Sequence, residues 1–363
     1  MRVISTNDVD DIALGASVLG AGGGGNVETG ILLLKNAICV YGDVLLKSLD
    51  ELQESDFIVP LGEMGAPVVG LEKFGQLDAP KLVVEFLCEK MGLKATAVSA
   101  VEVGGSNSMV PMVAAASLGI PMIDADSMGR AFPETQMTSF HLNGLVASPL
   151  ALMDERGNRV MVEAVDTFWA EKIARTTTSL MGARSCVATF GMDGKTAKRC
   201  CIGGTISLSQ RIGAVLSKAR AGEERLESLT TLVNGVIMFK GKITDVNRHT
   251  VGGFNKGDVL MQGSDQFSRD SCKITFQNEN LVCRVGSRVL ATVPDIITVL
   301  NSETLVPITT EELRYGQRVA VIGIPAAPIW RTKMGIEVAG PRYFGYDLNY
   351  VPVEVLAKRQ GNS

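Results

Sequence analysis

Apolar positions recur at two spacings along the chain, and the spacing changes near its middle. Between residues 7 and 21, Val9, Ile12, Ala13, Ala16, Val18 and Leu19 fall at roughly helical intervals behind the capping residues of STND. Four glycines stop that helix, because glycine enters the left-handed conformation that ends one. Asn26 opens a second helix running through Leu34, with Glu28 in the first turn, where the helix dipole favours a carboxylate. DFIVPLG (56–62) reads as a buried strand and PKLVVEFLCEKMG (80–92) as an amphipathic helix. ATAVSAVEVGG follows as a strand, SNSMVPMVAAASLG as a helix capped by Ser106 or Asn107, and IPMIDAD as another strand. The alternation predicts right-handed crossovers and a parallel sheet covered on both faces.

Beyond a helix near 166–180 and another at about 207–221, the pattern changes. GVIMFKGKITDV, DVLMQG, CKITFQ, LVCRVG, DIITVLN and RVAVIGI are short β-branched runs separated by Gly, Asn and Asp. They predict antiparallel β structure, a barrel or a sandwich. The expected fold class is therefore α/β plus β. An amino-terminal three-layer α/β/α domain with a mostly parallel sheet covers 1–165, and a mostly antiparallel β domain covers 166–363. The tail at 340–363 is compatible with packing back on the first domain.

A length of 363 residues agrees with two domains, since one core usually stops growing at roughly 250–300 residues. Hydrophobic content of 46% with 20% charged residues excludes the disordered class. A net charge of −4 and scattered Lys and Arg leave no electrostatic footprint for nucleic acid. The amino terminus lacks a basic head followed by an apolar run, so no signal peptide is expected. The longest apolar run, 109–123, is too short to span a bilayer and is broken by proline and glycine. Seven cysteines without a C-x-x-C predict reduced thiols in a cytoplasmic protein.

Ligands of open parallel sheets bind outside the carboxyl ends of the strands. Three loops follow predicted strands and emerge there beside the glycine run: GEMGAP (62–67), EVGGSNS (102–108) and DADSMGRAFPE (124–134). Glu63, Glu102, Asp124 and Asp126 are the candidate catalytic carboxylates. Crowded at one edge, they split their pKa values into acid and base, or hold a hard divalent cation through oxygen. Singly, Asp124 and Asp126 read equally well as helix caps, and Glu63 and Glu102 as ion-pair partners of Arg130. Gly23, Gly24, Gly25, Gly104 and Gly105 offer backbone amides to a substrate, and Asn107, Arg130 and Glu134 offer side chains. Asp245, Arg248 and His249 lie in a glycine-bearing turn of the second domain, placed to close over the cleft.

The glycine run has no G-K-[ST] and follows a helix, so no nucleotide cofactor is expected. His141 and His249 are the only histidines, which excludes a three-histidine or H-E-x-x-H zinc site within one chain. His141 reads as a core or surface residue, and Cys200–Cys201 has no histidine nearby in sequence to activate it.

Several segments together resemble one family: GAGGGGNVETG, GEMGAPVVGLEK, the block from EVGGSNS through ETQMTSF, GKITDVNRHTVGGFNKGDV, and the stretch from LRYGQRVAVIGIPAAPIW to LNYVPV. They resemble the S-methyl thiohydantoin desulfurase family, formerly a domain of unknown function and associated with hydantoinase and oxoprolinase proteins. The resemblance covers nearly the whole chain and implies the same two domains. It also implies hydrolytic loss of sulfur from thiohydantoin-type rings. The chain departs from the family at Asn26, because the family's glycine run continues into aspartate and proline and this one into NVET.

The combined expectation is a cytoplasmic, homo-oligomeric hydrolase acting on a small five-membered cyclic amide, thioamide or S-alkyl ring. Its water is activated by a carboxylate or a carboxylate-bound metal, and it has no nucleic-acid or membrane partner. The alternative is a non-catalytic partner subunit of a hydantoinase- or oxoprolinase-type enzyme. An exposed apolar surface favours that alternative, and a closed polar pocket counts against it.

Overall fold

The computed structural model describes residues 1–66, 69, 75–218 and 222–361. Most of GEMGAPVVGLEK beyond Ala66 lies outside these described residues, as does the end of the helix expected at 207–221.

The first part of the chain runs β1 (Arg2–Ile4), α1 (Val9–Leu19), α2 (Val27–Tyr41), β2 (Val44–Lys47), β3 (Phe57–Gly65) and α3 (Ala79–Met91). It continues through β4 (Ala97–Ala100), α4 (Val110–Leu118), β5 (Met122–Ile123), β6 (Ala125–Asp126) and α5 (Ser139–Leu142). Next come β7 (Leu150–Met153), β8 (Arg159–Val162), α6 (Thr167–Leu180), β9 (Arg184–Ala188) and β10 (Met192–Asp193). Then follow α7 (Gly194–Cys200), β11 (Ile202–Gly203), α8 (Thr205–Leu216) and α9 (Gly222–Leu232).

One sheet takes the order β1-β2-β5-β4-β3-β9-β7-β8, with β10 against the start of β3. Only the centre, β2-β5-β4-β3, is parallel; the strands on either side pair antiparallel. The α/β class holds, but the sheet is mixed instead of mostly parallel. Its antiparallel half comes from the β7–β8 hairpin and from β9, short runs that the periodicity does not single out. β9 and the helices of 167–216 lie past the expected division at 165 and still build on the first domain. Side chains of α1, α2, α3 and α4 cover one face of the sheet, and α5, α6 and α7 cover the other, giving the three layers. Helices α1 and α8 meet backbone to backbone, because a Cβ on Gly15 would lie 1.8 Å from the Ser209 carbonyl oxygen.

The second part holds β12 (Val236–Val251), β13 (Phe254–Gly263), β14 (Ser271–Gln277), β15 (Glu279–Val285), β16 (Arg288–Thr292), β17 (Ile296–Asn301) and β18 (Arg318–Ile324). These form one antiparallel sheet in the order β16-β15-β14-β13-β12-β18-β17. It curls until β15 approaches β17 without a ladder between the two ends. The result is an open half-barrel around its own apolar cluster, neither a closed barrel nor a sandwich. Two helices end the chain, α10 (Lys333–Ala339) and α11 (Val353–Gly361).

The two sheets share apolar clusters. One joins α1, α8 and α9 to β17 and β18. The other joins Met128, Phe132 and Met137 to Leu281, Val282, Val293 and Trp330. The tail touches both parts: α11 packs on β12 and β16, while the Tyr343 hydroxyl donates to Glu134 at 2.8 Å. With large apolar contacts on both sides, the walls between the domains are held in fixed positions.

Candidate active site

The glycine run is the seam between the domains. Ala21, Gly22, Gly24 and Gly25 have φ of +52°, +91°, +88° and +84°, so the run folds back on itself without helix or strand. Its carbonyls are taken by neighbours from both sides. Asn280 N–H donates to Ala21 at 2.8 Å, Thr310 N–H to Gly22 at 2.9 Å, and Asn107 N–H to Gly24 at 3.0 Å. Side chains would block this approach. A Cβ on Gly24 would stand 2.5 Å from the Gly104 carbonyl carbon, and one on Gly23 would stand 2.0 Å from a Glu279 carboxylate oxygen. The amides of Gly24 and Gly25 donate no hydrogen bond among the described residues.

A cleft of about 950 Å³, including its open mouth, lies against this seam. It is lined by Gly24, Gly25, Asn26, Glu63, Glu102, Asn107 and Glu134 from the first domain's loops and by Glu279 and Asn278 from the half-barrel. The edge expected from the sequence is therefore real, but it gathers only some of the predicted residues. Asn26 caps α2, accepting from Thr29 N–H at 2.9 Å. An aspartate would cap equally well, so the helix start survives the departure from the family pattern.

Glu102 is buried, with both oxygens engaged. One accepts from Asn107 Nδ2 at 2.5 Å and the other from the Phe132 amide at 3.2 Å. Burial pushes its pKa up to about 7, while those two hydrogen bonds hold it down. Asn107 is in turn locked by Glu63, whose amide donates to Asn107 Oδ1 at 2.7 Å. Glu63 itself pairs with Arg184 at 2.6 Å and accepts from the Ser106 hydroxyl at 3.1 Å.

Glu279 faces this wall from the turn joining β14 to β15. Asn278 takes φ +57° at the apex, and its backbone is fixed by Asn255 and Thr310. The Glu279 carboxylate is buried, and its Oε2 has no partner. Burial first, and the Glu102 charge second, raise its pKa well above the ordinary carboxylate range. Behind both lies Arg130, also buried, whose pKa falls through desolvation while Glu279, Asp295 and Glu102 oppose the fall.

Other predicted residues take structural places. Asp124 caps α8, accepting from the amides of Ile206 and Ser207 at 3.0 Å each. Asp126 Oδ2 accepts from the amides of Val103, Met128 and Gly129. Burial raises the Asp126 pKa to about 7, and it lies outside the cleft lining. Arg130 donates to the carbonyls of Pro294 and Asp295 at 2.7 and 2.9 Å and stacks on Phe132, so it ties the domains together, while its buried Nη2 has no partner. Gly104 and Gly105 pack on Gly24 and do not line the cleft. Arg248 grips the carbonyls of Thr310 and Leu313 at 3.0 Å each. Asp245 and His249 are exposed along β12, away from the cleft. The hairpin instead touches a lining residue: the Phe254 ring lies under Arg175 at 4.2 Å.

Glu279, Arg184 and Arg175 line the cleft without having been singled out in the sequence. The signal for Glu279 is faint: an acid between asparagines immediately before the apolar run LVC. Among the described residues, no group of three or more His, Cys, Asp or Glu side chains is arranged to hold a metal ion. No helix among them is long and apolar enough to cross a membrane.

An α/β domain and a half-barrel, with facing carboxylates at a glycine seam, define a two-domain protein with an interdomain cleft. The chain belongs to the S-Me-THD-like family, the S-methyl thiohydantoin desulfurase family: the model of its N-terminal domain matches residues 7–164 and that of its C-terminal domain 165–353. The fold is similar to the X-ray crystal structure of a protein from Chromobacterium violaceum, with a TM-score of 0.82 and 24% identity over 97% of this chain and 100% of the other. No curated protein matches the sequence.

Proposed function

We propose that the chain is a cytoplasmic hydrolase that replaces sulfur by oxygen in a small five-membered ring of the thiohydantoin type, including S-alkyl derivatives. The observation that carries this reading is the pairing of two buried carboxylates across one cleft, in surroundings that separate their ionisation. Glu102 accepts two hydrogen bonds, which favour its charged form. Glu279 has an oxygen without a donor, which favours its neutral form. In this reading the carboxylates themselves do the chemistry; a carboxylate-bound metal is the other way in which this cleft would activate water.

For an S-alkyl ring, ionised Glu102 takes a proton from water as the oxygen bonds to the ring carbon. The C=N electron pair moves to the ring nitrogen, which takes its proton from neutral Glu279. Glu279, now charged, removes the new hydroxyl proton, C=O forms and C–S breaks. The departing thiolate takes the proton held on Glu102, and both carboxyls return to their starting states. The free amides of Gly24 and Gly25 hold a ring carbonyl oxygen, and Asn107 positions Glu102. Seven unpaired cysteines support a reducing compartment.

Thiol release and loss of ring absorbance from S-methyl thiohydantoin, followed with purified protein, test the assignment. Glu102→Gln and Glu279→Gln are each expected to slow turnover about 10²–10⁴-fold. Turnover unchanged in both variants sinks the mechanism, and absence of turnover in the wild-type chain sinks the activity.

A further inference from the structure

The nine-stranded sheet ends at β8, whose outer backbone edge pairs with no strand among the described residues. Four residues separate β8 from α6, a helix that carries large apolar side chains on its outward side as well, with Lys172 among them. Thr167, Ala170, Ala174 and Thr178 are buried against the sheet. The outward face carries Phe168, Trp169, Ile173 and Leu180, with Val165 leading into it; Val165 and Leu180 are 85% and 86% exposed and Trp169 50%. An ordinary surface helix is polar on that side. A short free edge beside a run of exposed aromatic and aliphatic side chains is the kind of liability that pairing removes.

We propose that β8 and the outward face of α6 form an isologous interface with a second copy of this chain, joining the two sheets edge to edge. The charges favour this occupant. In a two-fold antiparallel pairing centred on Met161, Arg159 of one copy stands directly opposite Glu163 of the other, and the pair occurs twice. Their present partners hold them loosely: Arg159 rests over the Phe86 ring at 5.2 Å, and Glu163 meets Lys90 in an exposed ion pair. Val160 and Met161 between them are half-buried, and α6 packs on β8 itself.

Sedimentation of the full chain over a wide concentration range reads the assembly, with a melting curve confirming that each variant is folded. The wild type is expected at twice the chain mass. Arg159→Glu places like charges opposite each other at both ends of the pairing and weakens the dimer about tenfold or more. Combining it with Glu163→Arg restores the dimer, and Trp169→Glu abolishes it. A monomer at every concentration overturns the proposal. So does a dimer that Arg159→Glu and Trp169→Glu leave unchanged, since it would then form elsewhere.

Discussion

The two walls of the cleft solve the same problem in opposite ways. On the α/β side, Glu102 is surrounded by donors, and its first donor, Asn107, is itself clamped by Glu63. On the half-barrel side, Glu279 is held through its backbone turn, and its Oε2 is left without a partner. Burial disfavours the charge on both walls; one offsets it with two donors and the other leaves an oxygen without one. Neither domain alone holds both carboxylates, so the chemistry belongs to the seam.

The sharpest way to break that arrangement is to push the glycine run off the loop that carries Glu102 and Asn107. Gly24→Ala adds a Cβ at φ +88° and 2.5 Å from the Gly104 backbone. Left-handed strain and overpacking together are expected to cost about 3 kcal/mol or more. Gly119→Ala is the control: φ is +66° there, but nothing lies within 4 Å of the added carbon. It should cost about 1 kcal/mol. Denaturant midpoints compare the two, and equal losses would mean that the seam is not tightly packed.

A smaller effect separates the walls by pH. A carboxyl whose folded pKa is raised binds its proton more tightly in the folded chain than in the unfolded one. The folded chain therefore loses stability as pH climbs from the ordinary carboxylate range toward the raised value. For Glu102 that window runs from about 4.5 to about 7, and for Glu279 it starts at the same place and extends upward. Glu279→Gln is thus expected to melt with the wild type at pH 4 and several degrees above it at pH 8. Glu102→Gln should gain less, because an amide accepts through one oxygen where the carboxylate accepts from Asn107 and Phe132 through two. Identical melting shifts for the two variants would erase the distinction between the walls.

Much of this was legible from residue order, and the rest was not for specific reasons. The helices at 9–19 and 79–91, the strand at 57–65 and the change to short β runs follow from apolar spacing and glycine stops. The antiparallel half of the first sheet did not, since β9 and the β7–β8 hairpin have four or five residues each and their pairing is decided by tertiary contact. At the site, Glu63, Glu102 and Asn107 were legible because each lies at or just beyond the carboxyl end of a strand. Glu279 was not, because its importance comes from a hairpin turn docking on a glycine run more than 250 residues earlier in the chain. His249 and Asp245 misled, because glycines beside polar residues mark a hairpin turn as readily as a cleft.

Asp124 is the smallest and most discriminating test of how the edge divides. It lies two residues from Asp126 at the same predicted strand end, yet its carboxylate turns to the start of α8. There it satisfies helix amides that have no partner within the helix and complements the positive end of the dipole. Asp124→Ala is expected to lower stability by about 1 kcal/mol, with turnover per folded molecule unchanged. The expected loss is small because Gly204 N–H still donates to the Asp124 backbone carbonyl at 2.7 Å and keeps the helix start docked. A turnover deficit beyond the fraction unfolded would return Asp124 to the chemistry. Asp124 would then have to act on a cleft whose lining does not include it.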